Sequence, residues 1–93
     1  MEINFRIAYH PKELQEDIAK LPVVWKSKIR IAIENRLMTK PEVFGKPLRK
    51  SLKGYRKLRV GDYRVIFYLD HKTIKILAIM HRSIVYDKIN KRV

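Results

Sequence analysis

The run from Lys53 to Tyr68, KGYRKLRVGDYRVIFY, constrains this chain more than any other segment, because it reads as two β-strands joined by a very short turn. Tyr55–Val60 and Tyr63–Leu69 are the strands and Gly61-Asp62 the turn, where glycine supplies the positive φ angle that a two-residue hairpin loop demands. Side chains alternate along a strand, so Tyr55, Lys57 and Arg59 share one face while Arg56, Leu58 and Val60 share the other. Leu58 and Val60 are expected in the core. On the second strand Val65, Phe67 and Leu69 form the core set, leaving Arg64, Ile66 and Tyr68 opposite. Lys57, Arg59 and Arg64 then converge across the hairpin, with tyrosines beside them.

The flanking segments complete a small domain. Ile3, Phe5, Ile7 and Tyr9 recur with period two, which predicts a strand over Ile3–Tyr9. Pro11 ends it and opens a short helix whose apolar positions are Leu14, Ile18 and Leu21, with Glu13, Glu16, Asp17 and two lysines pointing elsewhere. After the break at Pro22, a stripe of Trp25, Ile29, Ala32, Ile33 and Leu37 predicts a second helix, and the two together a helical hairpin. Pro41, Gly45 and Pro47 make Thr39–Lys53 a connecting loop. Asp70-His71-Lys72 is a turn, and Thr73–Met80 a strand whose apolar residues on both parities imply cover on both faces. A short terminal helix is expected over Arg82–Val93, with Val85 and Ile89 on its apolar side. The order β-α-α-β-β-β-α predicts one α+β domain over residues 1–93, an antiparallel sheet with the helical hairpin packed on one face.

Charge narrows the partners. The 93 residues carry 22 Lys and Arg against 9 Asp and Glu, a net charge of +13. Repulsion on that scale costs stability unless an anionic partner relieves it, so a polyanion, an acidic protein, or both are expected. From Lys40 to Arg64 nine residues are basic and only Glu42 and Asp62 acidic, which favours nucleic acid. There is no cysteine, so neither disulfides nor thiolate-bound metal support the fold. The N-terminus has no apolar signal core and no run reaches the roughly 20 residues of a membrane helix, so the cytoplasm is the expected compartment and no membrane is involved.

A face bearing Lys57, Arg59 and Arg64 beside tyrosines suits RNA, since cations neutralise phosphates and aromatic rings stack on unpaired bases. Phosphodiester cleavage proceeds without metal when the ribose 2′-hydroxyl attacks, given a base, an acid and cations for the developing charge. His81 and Tyr86 supply titratable groups near the end of the sheet. Each residue taken alone also has a plain structural reading: a solvated strand face for Lys57 and Arg59, a partner or acid contact for Arg64, packing for the tyrosines, and an anchor for the last helix in Tyr86. The three histidines lack metal-ligand spacing, and the glycines form no phosphate-cradling loop, so no metal or small-molecule cofactor is expected.

In order and spacing, Lys46-Pro-Leu-Arg49, Leu52-Lys-Gly54, Tyr55-Arg-Lys-Leu-Arg59, Val60-Gly-Asp-Tyr-Arg64-Val-Ile-Phe-Tyr68 and His81-Arg-Ser-Ile-Val-Tyr86 resemble the RelE/ParE superfamily of type II toxin-antitoxin toxins. The similarity covers nearly the whole chain. It implies a RelE-type mRNA interferase, cutting mRNA on the ribosome by 2′-hydroxyl attack without metal, and a cognate antitoxin that wraps the basic toxin. Carried over by position, Arg64 stabilises the transition state, and Lys57 and Arg59 hold the scissile phosphate. Tyr86 stacks on or orients a nucleotide, His81 is an acid or base, and Arg82 assists the leaving group or binds backbone phosphate. Arg49, Lys50, Lys53 and Arg56 are further RNA-binding candidates. The chain departs from some members at Tyr55 and Met80, where those carry cations, and in the seven residues after Tyr86. Two alternatives stand beside the interferase: a ParE-type inhibitor of DNA gyrase, and a non-catalytic RNA- or ribosome-binding module.

Overall fold

The structure, a computed structural model, describes residues 5–9 and 12–92. Its centre is the meander that the Gly61-Asp62 turn nucleates: β3 (Arg56–Val60), β4 (Tyr63–Asp70) and β5 (Thr73–His81). β3 and β4 pair antiparallel with Val60 opposite Tyr63, Arg59 opposite Arg64 and Lys57 opposite Ile66. Gly61 has φ +58°, the conformation the turn needs. The Trp25 ring lies against it so closely that an added Cβ would sit 2.4 Å from a ring carbon.

β1 (Arg6–Ala8) and β2 (Lys46–Pro47) extend the sheet to the order β1-β5-β4-β3-β2. The expected antiparallel arrangement holds from β2 to β5, but β1 runs parallel to β5, with Ile7 opposite Ile74. Period-two alternation fixes which face of a strand is buried, not its direction; here the helical hairpin carries the chain from β1 at one edge of the sheet to β2 at the other, and the antiparallel run from β2 to β5 brings β5 back beside β1. Of the expected Ile3–Tyr9 strand, residues 3 and 4 lie outside the described residues, as does Pro11.

Helix α1 (Lys12–Lys20) and helix α2 (Val23–Ala32) form the hairpin, and α2 continues into a π-helical turn over Ile33–Leu37, where the Met38 amide bonds to the Ile33 carbonyl at 3.2 Å. The predicted stripe packs inward: Leu14, Ile29, Ile33 and Leu37 are almost wholly buried against Leu58, Val65, Phe67, Ile74 and Ile76. The basic segment expected to be loop is partly ordered. Pro41 starts a one-turn helix, α3 (Pro41–Phe44), β2 pairs with Arg56 and Lys57, and a 3-10 turn spans Lys50–Leu52. Proline suits both places, as the first residue of a helix and within an edge strand.

The opposite face of the sheet carries a second, smaller core. Helix α4 (Val85–Ile89), shorter than predicted, buries Val85 and Ile89 against Leu52, Ile66, Ala78 and Met80. β5 serves both cores because of a bulge: Phe67 faces Ile76 and Ile66 faces Ala78, so Leu77 is an extra residue and the parity of the strand changes there.

β1 covers β5 only as far as Lys75, and among the described residues no strand pairs with the rest of that edge. An ion pair closes it. Asp17 accepts the Ile79 amide at 3.2 Å, while Arg92 donates to the Leu77 carbonyl at 3.1 Å and grips both Asp17 oxygens at 2.7 and 2.9 Å. Asp17, expected to point to solvent, is 7% exposed. The bond to Asp17 holds the Arg92 guanidinium further above its already high ordinary pKa. The pair ties α1 on one face to the C-terminal segment on the other. Among the described residues no helix is long and apolar enough to cross a membrane.

Candidate nucleic-acid interface

The α4 face of the sheet holds a cavity of about 450 Å³ lined by Lys57, Arg64, His81, Arg82, Ser83 and Tyr86. Strand alternation puts Lys57 and Arg64 on this face, and α4 lays Tyr86 over them, with the Lys57 ammonium 5.6 Å from the centre of its ring. Four of the five side chains expected to be catalytic therefore meet. The fifth, Arg59, lines an adjoining cleft that shares Lys57 and Arg64 as walls.

Arg64 is the most tightly held cation of the group. It is 9% exposed, and its Nη1 donates to the carbonyls of Gly61 and Tyr63, each at 2.9 Å. The β3–β4 turn thus fixes the guanidinium plane, and among the described residues no group takes the Nε and Nη2 donors, which leaves them to a ligand. A fork of this kind grips two oxygens of one phosphate. The same turn holds Arg82, whose amide donates to the Asp62 carbonyl at 2.8 Å and whose Nε lies 3.6 Å from an Asp62 carboxylate oxygen. Asp62 therefore offsets part of the Arg82 charge.

His81 stands at the rim. The bulge at Leu77 turns it to the hairpin face, opposite Tyr63 in the ladder and edge-on to that ring at 5.5 Å. Its Nδ1 accepts the Ser83 amide at 3.1 Å and lies 2.8 Å from the Ser83 hydroxyl. With Nδ1 accepting a backbone N–H, the neutral imidazole carries its proton on Nε2.

The remaining candidates lie elsewhere. Arg56 donates to the Gly45 carbonyl at 2.9 Å and so braces the turn between α3 and β2. Arg49, Lys50 and Lys53 are exposed on the segment leading into β3, outside both cavities. Sequence reasoning missed Ser83 as the group that orients His81, Asp62 as the partner of Arg82, and the Gly61 carbonyl as the anchor of Arg64. A serine two residues after a histidine was a usable signal for the first, and a two-residue turn flanked by arginines for the other two. Among the described residues no three His, Cys, Asp or Glu side chains gather as a metal site.

A family model for the ParE toxin of the type II toxin-antitoxin system parDE matches residues 12–86. The chain belongs to this toxin family. It is 35% identical over 77 residues to toxin RelG of Mycobacterium tuberculosis, covering 80% of this chain and 87% of that one. It is 42% identical over 52 residues to toxin RelE of the same organism, a match that spans only 54% of each protein. Among solved structures, the M. tuberculosis toxin-antitoxin complex RelBE2 superposes with a TM-score of 0.74 at 28% identity, covering 86% of this chain and 100% of that one. The RelB–RelE complex of Methanococcus jannaschii gives 0.65 at 24% identity, covering 88% and 95%. YafQ of Escherichia coli gives 0.61 at 19% identity, covering 88% and 98%, a likeness of fold. The toxin thus matches a family model named for ParE and shares its architecture with the toxins of RelBE-type complexes and with YafQ.

Proposed function

We propose that this toxin is a metal-independent endoribonuclease that cleaves mRNA on the ribosome and is held inactive by an acidic antitoxin. The observation that carries the reading is the immobilised Arg64, with N–H donors that no described residue takes, on a cavity that also collects Lys57, His81 and Tyr86. In the reaction, the ribose 2′-oxygen bonds to phosphorus, its proton leaves to a base, and the bond to the 5′-oxygen breaks as that oxygen takes up a proton. The product is a 2′,3′-cyclic phosphate. Arg64 and Lys57 meet the charge that builds on the non-bridging oxygens, and such preorganised donors act most strongly where their geometry is already fixed. His81 offers a proton from Nε2 for the departing oxygen, and Tyr86, packed on Lys57, orients the nucleotide. A net charge of +13 suits both the RNA and an acidic antitoxin.

Primer extension on mRNA from a purified translation reaction, run beside the same mRNA without ribosomes, tests this. In-frame cuts only with ribosomes are expected; cuts in bare RNA would remove the ribosome from the reading, and no cuts in either lane would refute it. The match to a parDE toxin model favours a second reading, inhibition of DNA gyrase without nuclease activity. Loss of gyrase supercoiling by a toxin that leaves mRNA intact would establish that reading instead.

A further inference from the structure

The cleft adjoining the candidate site is lined by Arg36, Lys46, Lys57, Leu58, Arg59 and Arg64, and its volume is about 200 Å³. Five of these six are cations and none is an acid. Arg36, Lys46 and Arg59 make no side-chain hydrogen bond or ion pair among the described residues. Arg82, by contrast, has Asp62 within 3.6 Å. Clustering cations without a counter-charge raises the free energy of the free protein, and a bound anion relieves it.

The cleft wraps an edge. β2 pairs with β3 only at Arg56 and Lys57, so the rim of β3 from Leu58 onward carries no strand among the described residues. Lys57, Arg59 and Arg64 approach from the α4 face, and Arg36 approaches from the hairpin side. Arg36 sits in the π-helical turn Ile33–Leu37, a widened turn of a type that is rare and concentrated at functional sites. The ordinary apolar stripe of α2 needs no such widening.

We propose that this cleft is a second phosphate subsite, in which Arg36 and Lys46 bind the backbone of the same nucleic-acid strand that occupies the Lys57–Arg64 cavity. The inference rests on the reading that a nucleic-acid strand, rather than a protein, fills that cavity. The shared walls make the two sites one track: Lys57 and Arg64 hold the central phosphate, and Arg36 with Lys46 hold a neighbouring one at the edge of the sheet. A narrow cleft with one apolar lining residue suits phosphodiesters better than a peptide, which needs places for its side chains. The subsite is indifferent to base identity and sets how far the strand extends past the reacting phosphate.

The test is binding of a fluorescein-labelled all-deoxy single-stranded oligonucleotide, which offers no 2′-hydroxyl for attack, followed by anisotropy across a KCl series. Each phosphate neutralised on a single strand adds about 0.7 to the slope of log Kd against log salt. R36A/K46A, which gives up one phosphate contact, is expected to lower that slope by about 0.7, while a control pair of exposed lysines on the hairpin, K12A/K26A, leaves it near the wild-type value. Equal changes in both double variants, or no change in either, would overturn the proposal. Weakened binding of the antitoxin with an unchanged oligonucleotide slope would also overturn it, and would make the cleft a protein seat. The cleavage reading fails separately: a lowered slope in R36A/K46A with no mRNA cutting by the wild type supports the track and refutes the nuclease. Cutting with an unchanged slope does the reverse.

Discussion

Replacing Asp17 by alanine is expected to be among the most destabilising exposed-to-solvent or buried changes in α1, although nothing in the sequence sets this acid apart from Glu13 and Glu16. Its carboxylate is bound by two guanidinium nitrogens of Arg92 and by the Ile79 amide. The side chains of Asp17 and Arg92 are 7% and 16% exposed. Truncation leaves a nearly buried cation and a backbone N–H without their acceptor. Removing one partner of a buried pair costs roughly 3–5 kcal/mol, and an orphaned buried donor about 1–3, terms that overlap rather than add. Because Arg92 keeps some exposure and its bond to the Leu77 carbonyl, a value of about 3 kcal/mol is expected, a large part of the roughly 5–15 kcal/mol typical of a whole domain. For a chain of this length that corresponds to a fall in Tm of roughly 12–24 °C. Differential scanning calorimetry or urea denaturation reads it directly. Asp17→Asn keeps an acceptor for Ile79 and should fall between. In a cycle with Arg92→Ala the two losses should fail to add. A Tm within about 3 °C of wild type for Asp17→Ala would show that the pair is solvated, and the reasoning would be wrong.

Three further outcomes are expected. Arg64→Ala should lower single-turnover mRNA cleavage by roughly 10²–10³-fold, and Arg64→Lys should restore little, since an ammonium cannot bond to the turn carbonyls and fork a phosphate at once; near-wild-type cleavage by the lysine variant would argue against the fork. Gly61→Ala combines a positive φ of +58° with a Cβ placed 2.4 Å from Trp25, so a loss of about 1–3 kcal/mol is expected in urea melts, and an unchanged midpoint would show that the turn and Trp25 shift freely. The Asp70 carboxyl is held below its usual range, first by the hydrogen bond from Lys75 and then by His71. Its contribution to stability is therefore fully present above the ordinary carboxylate pKa and is lost as pH falls through the lowered folded value; Asp70→Asn should flatten the acid limb of the urea midpoint against pH, and an identical limb would contradict the assignment.

What the sequence made legible was local. The Gly61-Asp62 hairpin, the stripe from Ile29 to Leu37 and the double-faced burial of β5 all follow from spacing that a few residues carry. The convergence of Lys57 and Arg64 followed too, because both lie on strands with no irregularity between them. Less legible were features set by distant residues. The bulge at Leu77 moves His81 to the other face, and an unbroken apolar run from Ile76 to Met80 has no period in which an extra residue would register. Asp17 and Arg92 meet across 75 positions, so the acid looked like any other on an exposed helical face. Arg36 lies in a π turn that no propensity distinguishes from the α-helix before it. The direction of β1 depended on how the hairpin crosses the sheet, which the apolar pattern of Ile7 does not encode.

The uncovered side of β5 beyond Lys75 has one more consequence. A strand edge with free donors and acceptors is a template on which another copy of the chain can add, and proteins that leave such edges bare are prone to aggregate. Asp17 and Arg92 occupy that edge with charge, so the pair protects solubility as well as the fold. A toxin weakened there would vanish into insoluble material and look inactive in cells, even with every group around Arg64 in place.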